Sequence, residues 1–290
     1  MNKQGKEIVE VDGYKTLPRT RKEVFFDLLA HRKMNMFSLS SLTFLFFVPL
    51  VIDLFLFNYF ELLAIANDNS EHLFSMVFYS MLIMLPCMII GFIGLGGAFY
   101  VAKKMVWQEM ISATNDFLKG IKETWKHSII NGLIFGICLF GLVVGGTFLW
   151  IYSPTEQVVS GIGIGALIIL YITLGIMLSL FYTQDVYYSN PYRTTLKNSF
   201  SFLGLTHWKV FLLYVLTTGL VTALCCINTI TLTIGIVLFA VTNFVVIILY
   251  TLISHAAFDK YINLEHYPDM VNKGLYKEKE SSSVEESKEA

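Results

Sequence analysis

Charge is scarce in this sequence. Only 15% of its 290 residues are Asp, Glu, Lys or Arg, while 55% are hydrophobic; ordinary soluble domains carry about 25% charge. Residues 210–258 contain none of the four charged types. Buried strands run about 4–8 residues, so such stretches exclude a soluble α/β domain. Chemical motifs are missing too. The Gly-Leu-Gly-Gly run at 94–97 is neither G-x-G-x-x-G nor preceded by a strand, which excludes a dinucleotide fingerprint. Cys87, Cys138, Cys225 and Cys226 show no C-x-x-C spacing and sit in apolar segments. They read first as small buried hydrophobes, with a disulfide or metal site as the lesser alternative. His31, His72, His127, His207, His255 and His266 form no H-E-x-x-H, so no metal, no cofactor and no catalytic residue is expected.

What the sequence does have is long apolar runs. About 20 apolar residues cross a hydrocarbon core of ~30 Å. Spans are expected at about 37–57, 74–101, 129–152, 159–182, 210–226 and 230–254. The expected fold is all-α: a polytopic membrane protein with six transmembrane helices and amphipathic cytoplasmic helices. An N-terminal arm (1–35) precedes the transmembrane domain (36–258), and a polar tail (259–290) follows. No signal peptide is expected, because the first apolar run starts too late. Residues 21–33 form a candidate interfacial helix, with Val24, Phe25, Leu28 and Leu29 on one side and Arg21, Lys22, Arg32 and Lys33 for headgroups. Residues 273–290 bury too little apolar surface to order. Pro49 and Pro86 should bend their spans.

Every one of the 21 Lys and Arg falls in four segments: the arm, residues 103–127, residues 185–209 and the tail. The intervening outer loops hold only acidic charges, Glu61, Asp68, Glu71 and Glu156. By the positive-inside rule both termini are expected in the cytoplasm. This segregation has no purpose in a soluble enzyme or a DNA-binding protein, and no nucleic-acid partner is expected.

Candidate functional residues lie on both sides of these boundaries. Asp53 is the sole carboxylate within an apolar run; it either reaches the outer headgroups or works inside the membrane. Gly94 and Gly97 end the second run, and small residues there allow close helix approach or a cavity-lining break. Lys103 and Lys104 follow immediately. Phe117, Ile121 and Trp125 recur at four-residue spacing, suggesting a short amphipathic helix that lies on the inner surface or docks a partner. A shift of 83 residues aligns Asn115, Phe117, Trp125 and Lys126 with Asn198, Phe200, Trp208 and Lys209. This is either a parallel internal repeat or an independent use of Trp and Lys where helices re-enter the bilayer. Lys197 and Trp208 are the corresponding candidates in the second loop.

The runs IGFIGLGGAFYVAKKMVWQE and NDFLKGIKETWKHSIINGLIFG, with LFYTQDVYYSNPYRTTLKNSFSF further on, resemble the YesL-like family of small bacterial integral membrane proteins. Gly94, Gly97, Ala98, Lys103, Lys104, Phe117, Lys197 and Asn198 carry the match. Gly96-Gly97 stands where that family often has Gly-Pro, and the first span and long arm look like additions. The resemblance implies a bacterial inner-membrane location and a context of carbohydrate ABC transport, without assigning a reaction. The expected function is a non-enzymatic accessory or permease-like component of a solute transport system. A cytoplasmic ATPase or other transporter subunit would dock on loops 103–127 and 185–209. The alternatives are a self-sufficient transporter or channel and, less favoured, a membrane enzyme acting on lipid or sugar-lipid.

Overall fold

A computed structural model describes residues 17–66, 70–152, 157–188, 190–225 and 228–276. Among these the chain is helical, with no strand. In order the helices are α1 (Arg21–His31), α2 (Lys33–Ala66), α3 (Ser70–Val106), α4 (Ala113–Tyr152), α5 (Gln157–Tyr187), α6 (Tyr192–Tyr214), α7 (Leu220–Cys225), α8 (Thr229–Phe258) and α9 (Leu264–His266). A π turn over Val215–Gly219 joins α6 to α7, and another over Asp259–Asn263 joins α8 to α9.

Five stretches are long and apolar enough to cross a membrane: Lys33–Leu63, Leu73–Val106, Ala113–Leu149, Gly161–Tyr187 and Thr229–His266. A sixth exists only if Tyr192–Gly204 and Trp208–Thr222, whose axes differ by 97°, count as one broken span. Six were expected. The expected fifth run, 210–226, falls in the second arm of that bent pair and is not among the five that qualify alone. The turns expected at Glu156 and at Cys225 to Thr229, and the acidic loop residue Asp68, lie wholly or partly outside the described residues.

The tightest pairing is between the antiparallel helices α3 and α4, and glycines set it. A Cβ on Gly97 would stand 2.8 Å from the backbone oxygen of Phe117, and one on Gly132 would stand 2.8 Å from Cα of Ile89. Gly94 instead faces α2, where a Cβ would meet Cγ of Phe46 at 2.7 Å. The glycine-rich end of the second run therefore packs two neighbours at once, and α3 remains helical through it. Helices α2 and α3 also continue through Pro49 and Pro86. Toward the other end of α4 and α5 the glycines pack loosely: Gly141, Gly161 and Gly165 have no neighbour within 4 Å of an added Cβ, and Gly145 and Gly163 only ordinary contacts with Leu167 and Leu149 at 3.8 and 3.4 Å.

The amphipathic segment expected as a separate surface helix over 103–127 is divided. Its first residues finish α3, Gln108 turns the chain in the left-handed region (φ 57°), and the rest opens α4 without a break from the apolar part. At 37 and 40 residues, α3 and α4 are about 55–60 Å long, which exceeds the ~30 Å core.

Candidate functional site

The ends of α3, α5 and α8 come together with the arm and the tail. Thr20 caps α1 by accepting the Glu23 N–H at 3.2 Å. Helix α1 buries Val24 and Leu28 against the bundle, with Phe25 and Leu29 packed beside them. The apolar side expected to meet lipid is thus spent on protein, at about 1.5–3 kcal/mol per fully buried side chain. Arg21 also turns inward. Its guanidinium pairs with Asp259 and donates to Nδ1 of His255 at 2.5 Å. That bond leaves the imidazole proton on Nε2, 3.5 Å from Oδ1 of Asp259.

Asp259 is fully engaged. Besides Arg21 it accepts from Nδ2 of Asn263 at 2.7 Å and from the backbone N–H of Asn272 at 3.1 Å. The π turn over Asp259–Asn263 brings these two side chains together. Asn263 in turn accepts the Tyr188 hydroxyl at 2.6 Å. Burial first, and then the charge of Asp259, pushes the Tyr188 phenol up, so it stays a donor. The tail closes the cluster. Lys273 pairs with Glu109 at 3.0 Å and sits 3.6 Å above the Trp107 ring. Gly274 (φ 84°) passes so close to the α3 end that a Cβ would stand 2.8 Å from Cα of Trp107. The Tyr276 N–H bonds to the Pro18 carbonyl at 2.9 Å. Residues 273–276, expected without order, are held here; 277–290 lie outside the described residues. Arg32 donates to the Glu109 carbonyl at 2.9 Å, and burial, partly opposed by Asp27, lowers its pKa.

A second polar cluster joins α4, α5 and α6. His127 Nδ1 is 2.7 Å from Oδ1 of Asp185, and Tyr192 donates to Asn131 at 2.8 Å. Gln184 donates to Ser199 at 3.2 Å. Sequence reasoning gave His127 no partner within the protein. The available signal was position, since His127 and Asp185 each stand where an apolar run meets a polar segment.

The named candidates separate into three groups. Gly94, Gly97 and Phe117 are core: Phe117 is 1% exposed and lies 5.6 Å from the Phe46 ring. Lys103 and Lys104 act as latches. Lys103 donates to the Val186 carbonyl at 2.5 Å beneath the Tyr100 and Trp107 rings, and Lys104 pairs at 2.7 Å with Asp116, which also accepts the Ser112 N–H at 2.9 Å. Trp125, Lys197 and Trp208 are exposed, as are Lys119, Lys122 and Lys126. Phe117 and Trp125 therefore do not share a face; eight residues at 3.6 per turn rotate them about 80° apart. The aligned Phe200 is 67% exposed, so the two loops place that aromatic oppositely.

Asp53 stands apart from these groups. It is 4% exposed and lies in a cleft between α2 and α3. The sequence leaves it between contact with the outer headgroups and work inside the membrane; the structure shows it enclosed between α2 and α3. No group of three or more His, Cys, Asp or Glu that could hold a metal ion occurs among the described residues. No family model matches the chain, and neither a curated protein nor a solved structure matches it.

Proposed function

We propose that this is a non-enzymatic bacterial inner-membrane protein with both termini in the cytoplasm, serving as an accessory or permease-like component of a solute transport system. The observation that carries this reading is the convergence of the arm, the α3–α4 connection, the end of α5 and the tail on one polar cluster around Asp259. These segments belong to the four regions that hold all the basic residues, and a common inner face accounts for both facts. Beside the cluster, α4 presents Lys119, Lys122, Trp125 and Lys126, while α6 presents Lys197, Phe200 and Trp208. Exposed aromatics flanked by lysines suit either headgroups or an acidic soluble subunit. The resemblance to YesL-like proteins favours a transport context and an ATP-hydrolysing partner.

Purification of the tagged chain in mild detergent tests this reading. A soluble ATPase subunit should accompany the wild type and be lost from a Lys119→Glu, Lys122→Glu, Lys126→Glu variant that still folds. A wild-type protein that remains partner-free counts against it. A self-sufficient transporter is the second reading, favoured by the buried Asp53.

A further inference from the structure

We propose that the cleft between α2 and α3 binds an amphiphilic organic cation, an apolar body carrying one protonated amine, which enters from the bilayer and is held by Asp53. The cleft has a volume of about 320 Å³ and opens between Ile52, Leu56 and Phe60 of α2 and Tyr79 and Ile83 of α3, all exposed on the bundle surface. A volume of that order suits a small ligand. Its wall is apolar apart from Asp53, Ser80, the Tyr79 hydroxyl and the Cys87 thiol. Oδ2 of Asp53 is buried with no hydrogen bond at ordinary bonding distance, and the Ser80 hydroxyl beside it is the side-chain donor within its reach.

With only Ser80 beside it, an acidic side chain so placed favours a cation, and among the described residues the helices around it have none to give. Residues 34–102 contain no Lys or Arg, and neither does α8, which packs on α2. The carboxyl there is either protonated or balanced by a cation from outside these helices. The surrounding surface narrows its chemistry. A small inorganic cation is held by several oxygen ligands, whereas this cleft offers one carboxylate among apolar side chains. An ammonium on an apolar body matches it: the carboxylate and Ser80 take the head, the Phe57, Phe60 and Tyr79 rings favour cationic groups, and the aliphatic rim takes the body.

The test is equilibrium binding of radiolabelled n-decylamine to the full chain in nanodiscs, with empty nanodiscs subtracted. One saturable site per protein is expected. Unlabelled 1-decanol should fail to compete at concentrations where unlabelled decylamine does. Asp53→Asn should weaken binding by about 10- to 100-fold, the usual effect of losing a hydrogen bond to a charged group, and Asp53→Glu should retain most of it. Ile83→Trp, which fills the exposed rim without touching the carboxylate, should block binding even if Asp53→Asn fails to fold. The absence of saturable binding above empty discs overturns the proposal. Equal competition by decanol, or unchanged affinity in a folded Asp53→Asn variant, overturns it as well.

Discussion

Arg21 and Asp259 show how much a single side chain can organise here. Both are largely buried, with side-chain exposures of 16% and 10%. Removing one partner of such a pair strands the other, typically costing about 3–5 kcal/mol, while replacing both with apolar residues costs much less. Arg21→Ala should therefore lower the melting temperature in detergent and expose the arm to trypsin at Lys22. The double variant Arg21→Met, Asp259→Leu should recover only part of the loss, because Asn263 and the Asn272 N–H lose their acceptor. A melting temperature unchanged by Arg21→Ala would show that the pair is not a tie. This contact was not legible in the sequence. Arg21 had the look of a headgroup-binding residue, and its partner lies 238 positions away. The same holds for His127 and Asp185, which became a pair only once α4 and α5 were set side by side. Composition placed Asp53 in an apolar run, but only the packing of α3 over it shows that it is enclosed.

Helices carry the next level, and their glycines are not equivalent. Gly97 lies against the Phe117 backbone oxygen, which cannot move aside as a side chain can. Gly97→Ala should force α3 and α4 apart and destabilise the protein by about 1–3 kcal/mol, the usual range for overpacking. Gly161→Ala meets nothing within 4 Å and should be neutral or stabilising by up to ~1 kcal/mol through helix propensity. Thermal unfolding of the two variants side by side checks both; equal losses would contradict the packing described. At Gly274 the left-handed backbone and the approach to Trp107 act together, so Gly274→Ala should loosen the tail and raise hydrogen exchange over 270–276. Apolar run length and glycine content made the existence of these helices and their small-residue contacts readable. The split of residues 103–127 between α3 and α4 was not readable, because a charged amphipathic stretch looks alike whether it stands alone or extends a longer helix. Four-residue spacing also grouped Trp125 with Phe117, although the drift of 3.6-residue geometry separates them over two turns. The 97° turn beyond Gly204 falls where the polar second loop gives way to the apolar run, a boundary that marks a position but not an angle.

For the molecule as a whole, the proposed topology draws on charge segregation and on three-dimensional contact. The positive-inside rule uses only where Lys and Arg fall along the chain. The contacts of Pro18 with Tyr276 and of Arg21 with Asp259 bring the first and last described segments to one end of the bundle. A sixth crossing, through the bent Tyr192–Thr222 region, satisfies both; five crossings would put the ends on opposite sides of a membrane. The measurement that tests this most directly is labelling of single cysteines with a membrane-impermeant maleimide in intact and permeabilised cells. It should use a background with the four native cysteines replaced by serine. Cysteines at Lys22, Lys122, Lys197 and Lys273 should react only after permeabilisation, and one at Asp68 should react in intact cells. Labelling of position 22 or 273 from outside in intact cells, while position 122 stays protected, would contradict the account.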